Sequence, residues 1–144
     1  MFLNLLVIKA KNPDRLVQFY QALGMRFSKE RHGNGPEHYA CEMDNAVFEI
    51  YPLVSESDNT RGTRLGFVVD SIANTFLEIE RAFVHVNGKI VNSKNRKKAI
   101  LEDPEGHKIE LLERAPVILV SSPIPVEFDT HHDAIGNHML EPQA

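Results

Sequence analysis

The sequence is poor in cysteine, in charge of one sign and in long apolar runs, and each shortage excludes something. A single cysteine, Cys41, cannot form an internal disulfide, so a reducing compartment is expected and the thiol reads as a small buried apolar group. Sixteen Lys and Arg against 20 Asp and Glu give a net charge of −4, which argues against nucleic acid or an anionic membrane as partner. The longest apolar start, MFLNLLVIKAK, lacks a basic leader and a small-residue cleavage site, and Lys9 and Lys11 interrupt it. It reads as a first strand, neither signal nor membrane span, and a cytoplasmic protein is the expectation.

What is present is an ordinary globular composition, 42% apolar and 25% charged, in a length that suits one domain. After the strand, Asn12 is suited to cap a helix, Pro13 to its first position and Asp14 to its positive end. Leu16, Phe19, Tyr20 and Leu23 recur at helical spacing, and Gly24 can close the helix. MRFSKER, EHYACEM and AVFEIY then read as three strands. The segment SESDNTRG has no apolar side chain and reads as a linker, after which the order restarts. TRLGFVV is a strand, and DSIANTFLEIERAF a helix capped by Asp70 or Ser71 with Ile72, Phe76, Ile79 and Phe83 on one face. GKIVNS, KKAILED and HKIELLE complete the second half as strands.

The halves keep step. Cap positions Asn12 and Ser71 are 59 residues apart, and the mid-strand glutamates Glu49 and Glu110 are 61 apart. The pattern predicts an α+β fold of two tandem β-α-β-β-β modules forming a cupped mixed sheet. Module one is 1–53, the linker 54–62 and module two 63–114, with residues 115–144 as a C-terminal extension. Because side chains alternate along a strand, burying Phe48, Ile50, Ile109 and Leu111 against the helices aims Glu49 and Glu110, with Tyr51 and Lys108, into a common hollow. The competing interpretation makes each glutamate a solvated strand residue.

The tandem modules, NPDRLVQFYQALGMRF in the first and DPEGHKIELLE in the second, resemble the vicinal oxygen chelate superfamily of glyoxalase I, extradiol dioxygenases and bleomycin-resistance proteins. The resemblance covers residues 3 to 113. It implies a hollow that, in metal-using members, holds a divalent ion through two carboxylate positions, here Glu49 and Glu110, and two first-strand positions that are commonly histidine. The latter correspond to Leu5 and Arg64, or to Asn4 in place of Leu5 if the register slips by one. None is histidine, and a guanidinium cannot ligate, so the usual metal site is expected to be absent.

Arg64 is expected to take the ion's place, bridging one or both glutamates. One positive charge against two negative ones then calls for a second cation, or for a proton on one glutamate. Glu49 and Glu110 are the candidate catalytic residues, with Arg64, Tyr51, Lys108, His38 and Arg31 as candidate ligand-binding residues. His38 and Tyr39 point to opposite faces, so at most one enters the hollow; plain surface histidines are the competing reading. His85 and His107 read as surface or capping residues. The basic run KNRKK, residues 94 to 98, either closes over the hollow or is a solvated loop. In the tail, His131, His132, Asp133 and His138 match no compact ligand spacing.

The function these observations imply is binding of a small molecule in the hollow without the usual divalent metal. The alternative is a metal-dependent lyase, isomerase or dioxygenase of the same superfamily, with Glu49 and Glu110 as ligands. No cofactor is expected under the first reading and a divalent metal under the second. The partners expected are a small-molecule ligand or substrate and, through sheet area left uncovered, a second copy in a homodimer.

Overall fold

In a computed structural model, which describes residues 1–83, 87–92 and 96–119, the chain runs β-α-β-β-β twice. The first module is β1 (Leu5–Ala10), α1 (Pro13–Ala22), β2 (Ser28–Glu30), β3 (His38–Met43) and β4 (Ala46–Pro52). The second is β5 (Arg64–Val69), α2 (Ile72–Ala82), β6 (Gly88–Asn92), β7 (Lys97–Glu102) and β8 (Lys108–Glu113). Each module makes its own four-stranded mixed sheet, ordered β1-β4-β3-β2 and β5-β8-β7-β6. First and last strands are parallel neighbours, with Val7 opposite Glu49 and Gly66 opposite Glu110. The fold is α+β, and among the described residues no helix is long and apolar enough to cross a membrane.

Local chemistry explains the helix ends. Asn12 Oδ1 accepts from the Arg15 amide at 3.1 Å, Pro13 occupies the first turn, and Gly24, at φ +99°, closes α1 in a conformation that favours glycine. Of the two possible caps on α2, Ser71 does the work, accepting from the Asn74 amide at 3.2 Å, while Asp70 pairs with Arg114. β2 is shorter than the 25–31 run suggests. Met25 and Phe27 turn their side chains onto the core, which leaves only Ser28, Lys29 and Glu30 to pair with β3.

One face of each sheet packs on the helices. Ile8, Ala10, Phe48 and Ile50 from the first sheet and Leu65, Ala99, Leu101, Ile109 and Leu111 from the second are almost wholly buried with Leu16, Phe19, Tyr20, Ile72 and Ile79. They form one continuous apolar cluster across both modules. Tyr20 lies edge-on to Phe48 at 5.0 Å and to Phe67 of the other module at 6.0 Å. Cys41 is part of this core.

The turn Asp103–His107 joins the modules through a buried polar chain. Asp103 accepts four hydrogen bonds: from the Tyr20 hydroxyl (2.8 Å), His107 Nδ1 (2.8 Å), and the amides of Glu105 (2.9 Å) and His107 (3.0 Å). Thr60 Oγ1 accepts from the Lys9 amide at 2.9 Å and gives its own hydrogen to His107 Nε2 at 2.7 Å. Burial, reinforced by the Asp103 charge, pushes the Tyr20 hydroxyl far above its ordinary pKa, so it stays a donor. His107, expected as a surface or capping residue, is fully buried, linking Asp103 through Nδ1 to Thr60 through Nε2. His85 lies outside the described residues.

The linker is not a loose strap either. It carries a 3₁₀ turn, Glu56–Asp58, whose Glu56 pairs with Lys11 and Arg61 and whose Asp58 pairs with Lys9 at 3.5 Å. Of the C-terminal extension, residues 120–144, with His131, His132, Asp133 and His138, lie outside the described residues.

Candidate functional site

Strand alternation separates the charged side chains from this core. Phe48 and Ile50 point to α1, so Val47, Glu49 and Tyr51 occupy the opposite, open face of β4. The pairings Ala40 with Glu49 and Glu30 with His38 place His38 and Glu30 on that same face. In the second sheet, Ile109 and Leu111 are buried, which leaves Lys108, Glu110 and Leu112 on the open face beside Arg64, Gly66 and Val68. β7 repeats the rule: Ala99 and Leu101 are buried, and Lys98 and Ile100 face out.

Glu110 is held by two cations on one oxygen. Arg64 Nη2 is 2.7 Å and Lys98 Nζ 2.8 Å from its Oε2. The Lys98 hydrogen bond, with Arg64 adding to it, keeps this carboxyl below the ordinary 4.5. Lys98 is thus a second cation beside Arg64 on Glu110, and both favour its ionised form. Lys108 is exposed on the same face, across from Arg64 in register.

Glu49 has different company. Its Oε1 is 3.8 Å from His38 Nε2, and its side chain is 13% exposed. Among the described residues, the ion pairs of Arg64 include Glu110 and not Glu49. His38 stacks on Tyr51 with ring centroids 4.1 Å apart and planes within 6°. Burial and then the charges of Glu49 and Glu30 raise the Tyr51 hydroxyl pKa. His38 is not a surface histidine: its side chain is wholly enclosed, because Tyr51 covers one ring face and His32 lies 4.9 Å away. Tyr39 faces the other way and donates to Asp14. Arg31 joins neither group; it is exposed and pairs with Glu37 at 3.6 Å.

The structure therefore brings together Arg64 with Glu110, and His38 and Tyr51 with Glu49. Three contributors stand outside the expected site residues. Lys98 was hidden in a basic run, though the inward positions of Ala99 and Leu101 imply its outward one. Glu30 and His32 belong to the His38 group, and only the β2–β3 register reveals it. Of the run 94–98, Arg96, Lys97 and Lys98 are described, and Lys97 and Lys98 are strand residues; Lys97 pairs with Glu113 at 3.3 Å.

Solved structures share this architecture. An oxidase, ChaP-H2, is 19% identical, with TM-score 0.63 over 80% of this chain and 94% of that one. TnmS3, an antibiotic binding protein from Streptomyces sp. CB03234, is 14% identical, with TM-score 0.63 over 80% and 97%. TioX from Micromonospora sp. ML1 is 15% identical, with TM-score 0.60 over 80% and 100%. At these identities the likeness concerns the fold. No curated protein matches the chain in sequence. The sequence itself matches a family over residues 3–111, and with the duplicated modules this places the chain in the Glyoxalase/Bleomycin resistance protein/Dioxygenase superfamily.

Proposed function

We propose that the protein binds a small molecule against the open faces of its two sheets, and that no divalent ion occupies the position the superfamily's metal-using members share. The observation that carries this reading is the double cation on Glu110. A metal there would have to displace an ammonium and a guanidinium from the one oxygen they share. The donor set does not fit an ion in other respects. Leu5, Val7 and Gly66 offer no ligating side chain on the first strands, and Arg64 offers only donors.

The same groups suit a ligand. Glu110 uses one nitrogen of Arg64, and the remaining guanidinium hydrogens, together with Lys98 and Lys108, can serve a carboxylate, phenolate or other acceptor-rich group. Val68, which is 55% exposed, with Leu112 and Ile100, supplies apolar surface beside them for the ligand's body. An antibiotic binding protein among the fold neighbours is consistent with a binder, and oxidases among them with chemistry on such a ligand.

The test is a thermal-shift and calorimetric screen of aromatic carboxylates and phenols against the full chain. At least one compound class is expected to bind, with Arg64→Ala and Lys98→Ala each weakening it tenfold or more. Equal binding by both variants would remove the cation pair from the site. Glu110→Gln is expected to leave metal content unchanged; loss of a stoichiometric metal on that substitution would overturn the metal-free assignment.

A further inference from the structure

His38 presents a problem that its neighbours do not solve. Its Nδ1 lies 3.3 Å from the Pro36 carbonyl oxygen, which can only accept, so Nδ1 carries the ring hydrogen. In the neutral ring Nε2 is then a bare lone pair. It is buried and, among the described residues, has no hydrogen-bond partner, and the charged atom beside it is a carboxylate oxygen of Glu49 at 3.8 Å. Two acceptors facing one another inside the protein are unfavourable unless a cation lies between or beside them.

Other possible ligands gather around the His38 ring. β2–β3 pairing sets Glu30 opposite His38, and His32, just beyond β2, folds back over it. Glu30, His32 and His38 each offer one ligating atom, and the three atoms lie within 4.8 Å of one another. Ligands on a tetrahedral ion with bonds of about 2.0–2.2 Å stand roughly 3.3–3.6 Å apart, so a modest inward swing suffices. His32 can supply it: its side chain is 69% exposed, and its ion pair is to Glu30 itself at 3.8 Å.

The charge balance points the same way. Among the described residues, neither Glu30 nor Glu49 has a Lys or Arg nitrogen within 4.0 Å, whereas Glu110 has two. A backbone carbonyl orienting one imidazole nitrogen, so that the other is left free, is the arrangement a metal-ligating histidine takes. Two imidazoles and a carboxylate select a borderline transition ion over calcium or magnesium.

We propose that Glu30, His32 and His38 form a binding site for a divalent transition-metal ion of the zinc type, bordered by the Glu49 carboxylate. The site stands on β2, the segment after it and β3, and uses none of Arg64, Lys98 or Glu110. It is independent of the ligand-binding reading above. Three protein ligands leave a fourth position for water or an exogenous oxygen or nitrogen ligand.

The experiment is titration of chelator-stripped full-length protein with Zn²⁺ by calorimetry, with Co²⁺ absorption as the reporter of coordination geometry. One ion per chain is expected. His32→Ala and Glu30→Gln, both at exposed or half-exposed side chains and so compatible with an intact fold, should each weaken Zn²⁺ binding at least tenfold. They should also abolish the tetrahedral Co²⁺ spectrum. Arg64→Ala, and a variant with His131, His132 and His138 all replaced by Ala, should bind as the unaltered protein does. Absence of stoichiometric binding would overturn the proposal, as would unchanged affinity in His32→Ala and Glu30→Gln. Loss of binding in the Arg64 or tail variants would overturn it too.

Discussion

Two glutamates at matching places in a duplicated fold have come to opposite situations. Glu110 is shared by two cations, and Glu49 faces the buried imidazole of His38. The difference is testable through pH. Because Lys98 and Arg64 depress the folded pKa of Glu110, ionised Glu110 favours the native state. That contribution is complete above the ordinary value of 4.5 and falls away as the pH drops through the lower folded value, where both states carry the proton. Glu110→Gln is therefore expected to be less stable than the unaltered protein at pH 7, and the two should converge in acid. Urea melts at a series of pH values measure this. A stability gap undiminished by acid would mean that packing, rather than the ion pairs, distinguishes the two side chains. The Arg64 partnership was legible through the superfamily resemblance, which puts Arg64 at a first-strand ligand position beside Glu110. The Lys98 partnership could not, because consecutive lysines beside a charged loop look the same whether solvated or paired.

At the level of elements, the strands and helices were legible because each signal had one physical meaning. Alternation around Phe48 and Ile109 could bury only one face, and Asn12-Pro13 and the Asp70-Ser71 pair could only begin helices. The DPEGH turn was legible as a turn but not as a joint. Its Asp103 and His107 are polar residues whose partners, Tyr20 and Thr60, lie 83 and 47 residues away in sequence, and no local pattern announces such a pairing. The same blindness hid the burial of His38, which depends on Tyr51 and His32 arriving from other segments. If the turn is held as described, removing the Tyr20 hydroxyl deletes one of four hydrogen bonds to a buried carboxylate. Tyr20→Phe is expected to cost about 1.5–3 kcal/mol, the range for hydrogen bonds to charged groups. It should lower the urea midpoint with the slope unchanged. A loss under about 0.5 kcal/mol would show that the carboxylate is satisfied without it.

For the molecule as a whole, duplication raises the question of whether the halves are autonomous. Each sheet is built wholly from its own module, which would permit independent folding. Everything beneath the sheets argues the other way. The apolar cluster is continuous from Ile8 and Phe48 through Tyr20 to Phe67, Ile109 and Leu111. The polar chain Lys9–Thr60–His107–Asp103–Tyr20 runs from the first module through the linker to the second and back. Unfolding one half would strip the other of core partners and leave Asp103 and His107 buried without theirs, or exposed with their turn dissolved. A single cooperative transition is therefore expected, with the calorimetric and van't Hoff enthalpies equal. His107→Ala should move that transition to lower temperature without splitting it. Two resolved transitions, or a second module that melts while the first keeps its circular dichroism, would instead make the shared core a contact between two independent folding units.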